Sequence, residues 1–452
     1  MHKQHHSLTE GSIWKSMLLF ALPVFLGNVF QQLYNAFDAW CVGNYIGDDA
    51  LAAVSSSGSL IFMMVSFFNG VAIGAGVVIA RAFGAKQYDT MRNAIHTAIA
   101  FGLVTGIVLT IAGVALTPTI LRWMGTPAEV MPQSVEYFRY YFCGAIFTVM
   151  YNIFVGILHA VGDSKHPLYY LIFSTFLNIA LDMLFVAVLG FGVGSAAIAT
   201  TISQGFSALL CLLHILRVDA PYRISIRQIR FHKKSLGEII RYGLPAGIQN
   251  SVISIANVVV QSNINSFGKA AMAGCGSYSK LEGFAFLPVT CFSQALSTFV
   301  GQNLGAGHYA RMKRGAAFGI VCSCTLAQLI GGVSYVFAPQ MIGFFSETTE
   351  AIHLGTQHMR TICVFYFLLA FSHCVAGILQ GAGKAKIPMF TMLACWCIFR
   401  MFYITVAVKL VNQLTTVSWA YPITWTLSSI IFLICLLRAD WIPTTSENAQ
   451  KV

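Results

Sequence analysis

The chain has 452 residues, of which 57% are hydrophobic and only 10% charged, and its mean hydropathy is +0.71. Soluble globular chains are about 45–50% apolar and about a quarter charged, so the composition excludes that class and defines an integral membrane protein. The net charge of +11 does not point to nucleic acid: the basic residues fall between apolar runs, as in loops facing anionic headgroups, and no aromatic-basic binding module is present.

The short N-terminal tail carries His2, His5 and His6 and reads as solvated rather than metal-binding. The first apolar run is too long for a signal h-region of about 7–15 residues and lacks a small-residue cleavage site, so it stays as the first span. A membrane helix needs about 20 apolar residues. On that measure spans are predicted at roughly 13–41, 51–80, 94–117, 134–160, 168–189, 194–217, 237–266, 272–302, 315–337, 356–381, 388–410 and 419–438. The fold class is therefore an all-α polytopic membrane protein of twelve transmembrane helices. A β-barrel is excluded, because the runs are continuously apolar and longer than alternating strands of about ten residues.

Within the first span stands "FLGNVFQQLYNAFDAW", Phe25 to Trp40. On a helical wheel Asn28, Gln31, Gln32, Tyr34, Asn35 and Asp38 occupy a sector of about 160°, opposite Val29, Phe30, Leu33, Ala36, Phe37 and Trp40. The polar stripe thus faces the bundle interior or a water-filled cavity. Asp38 costs about 2.5–3.5 kcal/mol at mid-membrane and needs a partner, a proton or a cation. The alternatives are a helix-packing hydrogen bond or an interfacial carboxylate. Pro23, four turns earlier, removes a helical hydrogen bond and permits a kink that serves as a hinge. In the second span "GVAIGAGVV" (Gly70, Gly74, Gly76) is close-packing glycine spacing.

The fifth span contains "STFLNIALDMLF". Ser174, Asn178 and Asp182 recur every four residues and share one face. Asn178 and Asp182 offer hard oxygen ligands for an alkali cation or a shared proton. Two carboxylates close together at low dielectric cannot both stay ionised and bare, so one carries a proton or a cation neutralises both.

Further along, Glu282 and Lys280 read as an interfacial salt bridge, or Glu282 as a cavity acid. Arg400 lies inside the eleventh span and either lines a cavity or pairs with backbone carbonyls. Arg139 and Arg360 occupy matching sites and read as structural. The twelve cysteines lie mostly in apolar runs, and Cys322/Cys324 and Cys395/Cys397 have no zinc spacing. They are expected to be small buried thiols.

Arg81, Lys86, Arg92, Lys165, Arg311, Lys313, Arg314, Lys384 and Lys386 cluster in one set of loops. The positive-inside rule then places both termini in the cytoplasm, in a cell (inner) membrane. "GILHAVGDSKHPL" from Gly156 realigns with "GILQGAGKAKIPM" from Gly377, a shift of 221 that also pairs Gly84 with Gly305, Tyr88 with Tyr309, Pro118 with Pro339 and Arg139 with Arg360. Pro23 and Pro245 pair at 222. Each copy holds six spans, so both enter the bilayer in the same sense. The predicted domains are an N-lobe (1–217), a basic cytoplasmic linker (218–236) and a C-lobe (237–452). At the shifted positions Asp182 becomes Tyr403, Asn178 becomes Phe399 and Asp38 falls at Val259 or Val260. The scaffold is duplicated and the acids are not, as expected if they were added for function.

"ALPVFLGNVFQQLYNAFDAWCVG", "GVAIGAGVVIARAFGAKQ", "ILHAVGDSKHP", "NIALDMLF" and "VGQNLGAG" together resemble the multidrug and toxic compound extrusion (MATE) family, from Leu8 to about Leu437. The resemblance implies V-shaped lobes around a central cavity. It also implies export of organic cations and amphipathic toxicants in exchange for H+ or Na+. It implies an ion-coupling set of Asp38, Asn178, Asp182 and Thr200, which would also be the Na+ site, and cavity positions at Gln31, Tyr34, Asn35 and Asn152. The seventh and tenth spans lack the acids of the NorM branch, so the chain looks closer to the DinF-like branch. A lipid-linked saccharide flippase of related architecture is the alternative. No Walker lysine or HExxH motif occurs, so neither ATP-driven transport nor an intramembrane enzyme is expected, and no cofactor. The expected partners are drug or toxicant substrates and membrane lipids, with the chain acting as a monomer.

Overall fold

The computed structural model describes residues 7–123, 126, 128–346, 348–438 and 441–442, excepting the side chains at 48–49, 51–53, 55–64 and 68. The tail histidines lie outside the described residues. Every regular element among those described is helical. The first copy holds α1 (Ile13–Tyr45), α2 (Asp48–Gly84), α3 (Tyr88–Trp123), α4 (Met131–Cys143), α5 (Ala145–Ala160), α6 (Lys165–Asp182) and α7 (Gly194–Arg217). The second holds α8 (Lys233–Asn265), α9 (Lys269–Ala285), α10 (Leu287–Gly305), α11 (Tyr309–Val336), α12 (Ala338–Gly343), α13 (Thr349–Cys363), α14 (Tyr366–Gly381), α15 (Lys386–Met392), α16 (Arg400–Leu410) and α17 (Leu414–Leu437).

Among the described residues ten helical stretches are long and apolar enough to cross a membrane, and two bent pairs, α4–α5 at 46° and α13–α14 at 52°, bring the number to twelve when each pair is counted as one span. Val108, Ile111, Phe176, Leu329 and Phe402 are more than half exposed, a surface suited to lipid rather than water. Both bends fall where a helix stops and restarts, at Gly144 and at Val364–Phe365. Neither break was legible as a span boundary, since apolar residues continue through both.

The repeat is visible in backbone detail. A shift of 221 carries Ala145–Ala160 onto Tyr366–Gly381 and the start of α3 onto the start of α11. It also pairs the positive-φ positions Gly47 with Gly268, Gly162 with Gly383, and Lys86 (φ 56°) with Gly307 (φ 73°).

Two compact units form, and their division falls elsewhere than the sequence boundaries. One holds Leu22–Leu244; the other joins Leu8–Ala21 to the chain from Pro245 onward. The changeovers lie beside Pro23 and Pro245, both inside continuous helices. In the first unit the segment 218–232 folds back on α3 and α7: Arg92 Nε donates to the Pro221 carbonyl, Arg223 Nε to the Leu216 carbonyl, and the His232 amide to Thr97 Oγ1 at 3.1 Å. Arg81 then reaches Tyr242, and a Cβ added at Gly74 would strike the Gly243 backbone. In the second unit Leu8 donates its amide to Gln302 Oε1 and accepts from Asn303 and Arg311, while Arg311 Nη1 donates to the Gly11 carbonyl at 2.6 Å.

The first unit's core is built on Ile79, Met91, Ile95, Phe138, Ile157 and Cys211, all fully buried. None of the twelve cysteines, all of them among the described residues, forms a disulfide, and most are buried, with Cys143 exposed. The C-lobe charges also resolve. Glu282 accepts from Tyr278 Oη at 2.9 Å, while Lys280 lies over the Phe345 ring; the salt bridge between them does not form. Arg400 is 2% exposed, donates from Nη2 to Thr424 Oγ1 at 2.9 Å and lies over the Tyr421 ring. It is held by a hydroxyl and aromatic faces rather than by backbone carbonyls.

Candidate functional site

The polar residues of the first unit converge from four helices. On α6, Ser174, Asn178 and Asp182 are each 0% exposed, because their shared face is the one that packs against α7. Ser174 Oγ donates to the Ser203 carbonyl at 2.8 Å, which fixes the register of the two helices. Beyond Asp182 the helix widens into a π-helical stretch, Met183–Val188, a local distortion frequent at functional positions.

From α1, Tyr34 (2% exposed) and Asp38 (7%) enter the same pocket. The Asp38 carboxyl lies within direct interaction range of Asp182 and of Thr200 on α7. Tyr34 lies within interaction range of Thr200 and within electrostatic range of Asp38, and Asn178 lies within interaction range of Asp182. Tyr137 and Tyr141 of α4 bring their phenols within electrostatic range of Asp38 and stack on one another with centroids 6.3 Å apart.

This pocket is rich in unmet hydrogen-bonding capacity. Tyr34 Oη, Asp38 Oδ1, both oxygens of Asp182, both amide atoms of Asn178 and Thr200 Oγ1 are buried without a well-formed hydrogen bond. Ser203 Oγ, Gln204 Oε1 and Ser207 Oγ continue the series along α7. Each such atom costs about 1–3 kcal/mol if nothing meets it. A concentration of them around two carboxyls suits a small cation or a proton, coordinated by hard oxygens.

The other predicted cavity residues lie apart from this set. Asn35 is exposed and Gln31 half-buried; Gln31 Nε2 donates to Asn35 Oδ1 at the long distance of 3.5 Å. Asn152 donates to the Thr148 carbonyl of its own helix at 2.9 Å. Tyr34 groups with the acids rather than with Gln31 and Asn35. Sequence reasoning missed Ser203, Gln204 and Ser207. Their spacing from Thr200 is that of one helical face, and the same wheel that isolated the stripe of the first span would have found them. The contributions of Tyr137 and Tyr141 carried no such signal, since aromatic residues are ordinary in an apolar run.

A chain of twelve helical spans, built as two six-span copies with a buried acid pair in the first copy and none among the described residues of the second, defines a membrane transporter of duplicated design. This protein belongs to the MatE family: the family model matches it twice, at residues 23–184 and 245–406, each match opening on one of the two paired prolines. A relative from Bacillus subtilis, "Probable multidrug resistance protein YoeA", is 31% identical over 400 residues, covering 86% of each chain. "Multidrug export protein MepA" of Staphylococcus aureus is 21% identical across 98% of both. Among solved structures, "Outward-facing conformation of a multidrug resistance MATE family transporter of the MOP superfamily" superposes with a TM-score of 0.90 at 24% identity, covering 97% of this chain and 98% of the other. A MOP superfamily transporter from Pyrococcus furiosus gives 0.90 at 24%, covering 98% and 100%.

Proposed function

We propose that the protein is a secondary multidrug antiporter, exporting organic cations and amphipathic toxicants in exchange for H+ or Na+. The multidrug names of its relatives favour this over flipping of a lipid-linked saccharide. The observation that carries the coupling mechanism is the burial of Asp38 and Asp182 side by side among unsatisfied oxygens and amides.

The mechanism follows from charge. In a dry pocket two carboxylates hold a proton or a small cation between them, and they repel once it leaves. Asp38 sits on α1 and Asp182 on α6, so loading draws the two helices together and unloading parts them. Asn178 and Thr200 supply neutral oxygens that suit a cation as the third and fourth ligands. Pro23 leaves α1 short of one backbone hydrogen bond, which lowers the cost of bending it. The outward-facing state takes up the ion, α1 bends, and bound drug is released outward. Inward movement of one charge supplies about 2.3 kcal/mol per 100 mV. As in the DinF-like branch, the N-lobe acids alone do the coupling.

The test is ethidium efflux from proteoliposomes under separately imposed Na+ and H+ gradients. Asp38→Asn and Asp182→Asn are each expected to reduce gradient-driven efflux to the level of protein-free vesicles while the protein still purifies as a folded species. Wild-type efflux by either variant would refute the coupling role.

A further inference from the structure

At the opposite end of α6 from Asp182 lies a second cluster that the transport mechanism does not use. Val161–Ser164 turn the chain from α5 into α6, with Gly162 at φ 88°. Asp163 Oδ1 then accepts the His166 amide at 3.2 Å, which caps the first turn and brings the His166 ring back over the carboxylate. His166 Nδ1 meets Asp163 Oδ2 at 2.6 Å. From the last turn of α7 comes His214, whose Nε2 lies 3.5 Å from the same Oδ2 and whose ring centre is 4.1 Å from that of His166. One ligand-capable atom from each of the three residues falls within 4.8 Å of the others.

We propose that Asp163, His166 and His214 form a binding site for a borderline divalent transition-metal ion of the Zn2+ class. Two imidazoles and a carboxylate are the donor set such ions prefer, with a remaining position for water. Tetrahedral ligands at about 2.0–2.1 Å from an ion stand about 3.3 Å apart, so the observed spacing closes on an ion with small side-chain rotations. A second, independent feature points to a ligand. His214 Nε2 is buried and forms no hydrogen bond, standing 3.5 Å from Asp163 Oδ2, at the outer limit of hydrogen-bond distance. A metal would satisfy that nitrogen. His166 keeps 45% of its side chain exposed, against 17% for Asp163 and 14% for His214, which leaves a path for the ion.

The repeat argues against a purely structural turn. The second copy keeps the same turn, with Gly383 at φ 75°, but places Lys384, Ile387 and Cys435 at the matching positions. The fold makes this corner without the triad. An ion there would tie the start of α6 to the end of α7, the two helices that also carry Asn178, Asp182 and Thr200.

The experiment is titration of the purified, metal-stripped full chain with Zn2+ alone, followed by calorimetry and by thermal unfolding. A single tight equivalent and a Zn2+-dependent rise in Tm are expected. Both should persist in the His2→Ala/His5→Ala/His6→Ala variant and be lost in Asp163→Asn and His214→Gln; Asp163→Asn keeps an oxygen to cap α6. X-ray absorption at the zinc edge of the wild-type protein needs no variant and should show mixed imidazole and carboxylate ligation. No tight binding by the wild type, binding that vanishes with the tail histidines, binding unchanged in Asp163→Asn, or sulfur ligation would each overturn the proposal.

Discussion

Single residues show how far two copies of one scaffold have diverged. Lys86 stands in the left-handed region at φ 56°, while its counterpart Gly307 adopts φ 73°. An L side chain there costs about 1–2 kcal/mol, less a part recovered because glycine loses more entropy on folding. Lys86→Gly is therefore expected to stabilise the protein by about 0.5–1 kcal/mol, read as a higher midpoint in detergent-solubilised unfolding. Gly307→Lys should move it the other way. At the same scale, Asp38 and Asp182 were legible because carboxylates are conspicuous in an apolar run, and their helical spacing told which way they face. His214 was not legible. Its meaning depends on Asp163, some fifty residues earlier, and nothing local to either residue announces the contact.

At the scale of helices, close approach is enforced by what is missing. Gly74 of α2 abuts the backbone of Gly243 in α8, so the two helices touch main chain to main chain, as small residues allow in a bilayer. Gly76, two residues on, faces the Gly156 carbonyl at an ordinary 3.6 Å for an added Cβ. Gly74→Ala is expected to cost about 1–3 kcal/mol by forcing α2 and α8 apart, and Gly76→Ala to be tolerated; thermal stability of the two purified variants decides it. The sequence marked all three glycines of "GVAIGAGVV" as packing residues but could not rank them, since rank depends on which glycine meets another backbone. The breaks at Gly144 and Phe365 escaped notice for a related reason. Hydropathy records that a segment is apolar and is blind to a bend within it.

For the whole molecule, the spans and the duplication were readable from apolar run lengths and the 221-residue shift, whereas the division into units was not. Composition put the boundary at the basic stretch after Arg217, but that stretch folds onto α3 and α7 through Arg92, Arg223 and His232. The packing boundary lies at Leu244–Pro245 instead. A consequence can be checked by cutting the chain after Gln228. The first fragment then lacks the Lys233–Leu244 segment of its own unit, and the second lacks Leu8–Ala21. Each alone is expected to be degraded rapidly by added protease, and the two, co-expressed, to purify together through a tag on either one. Fragments that are individually resistant and do not associate would show that the borrowed segments are dispensable.

The exchanged helix starts also bear on descent. A half-length forebear constructed this way had no means of finishing its own fold, since the opening turns of its leading helix belonged against a neighbour. It would have existed as a helix-swapped pair, each member lending what the other lacked. Fusion of two such genes would make that reciprocal loan permanent within a single polypeptide.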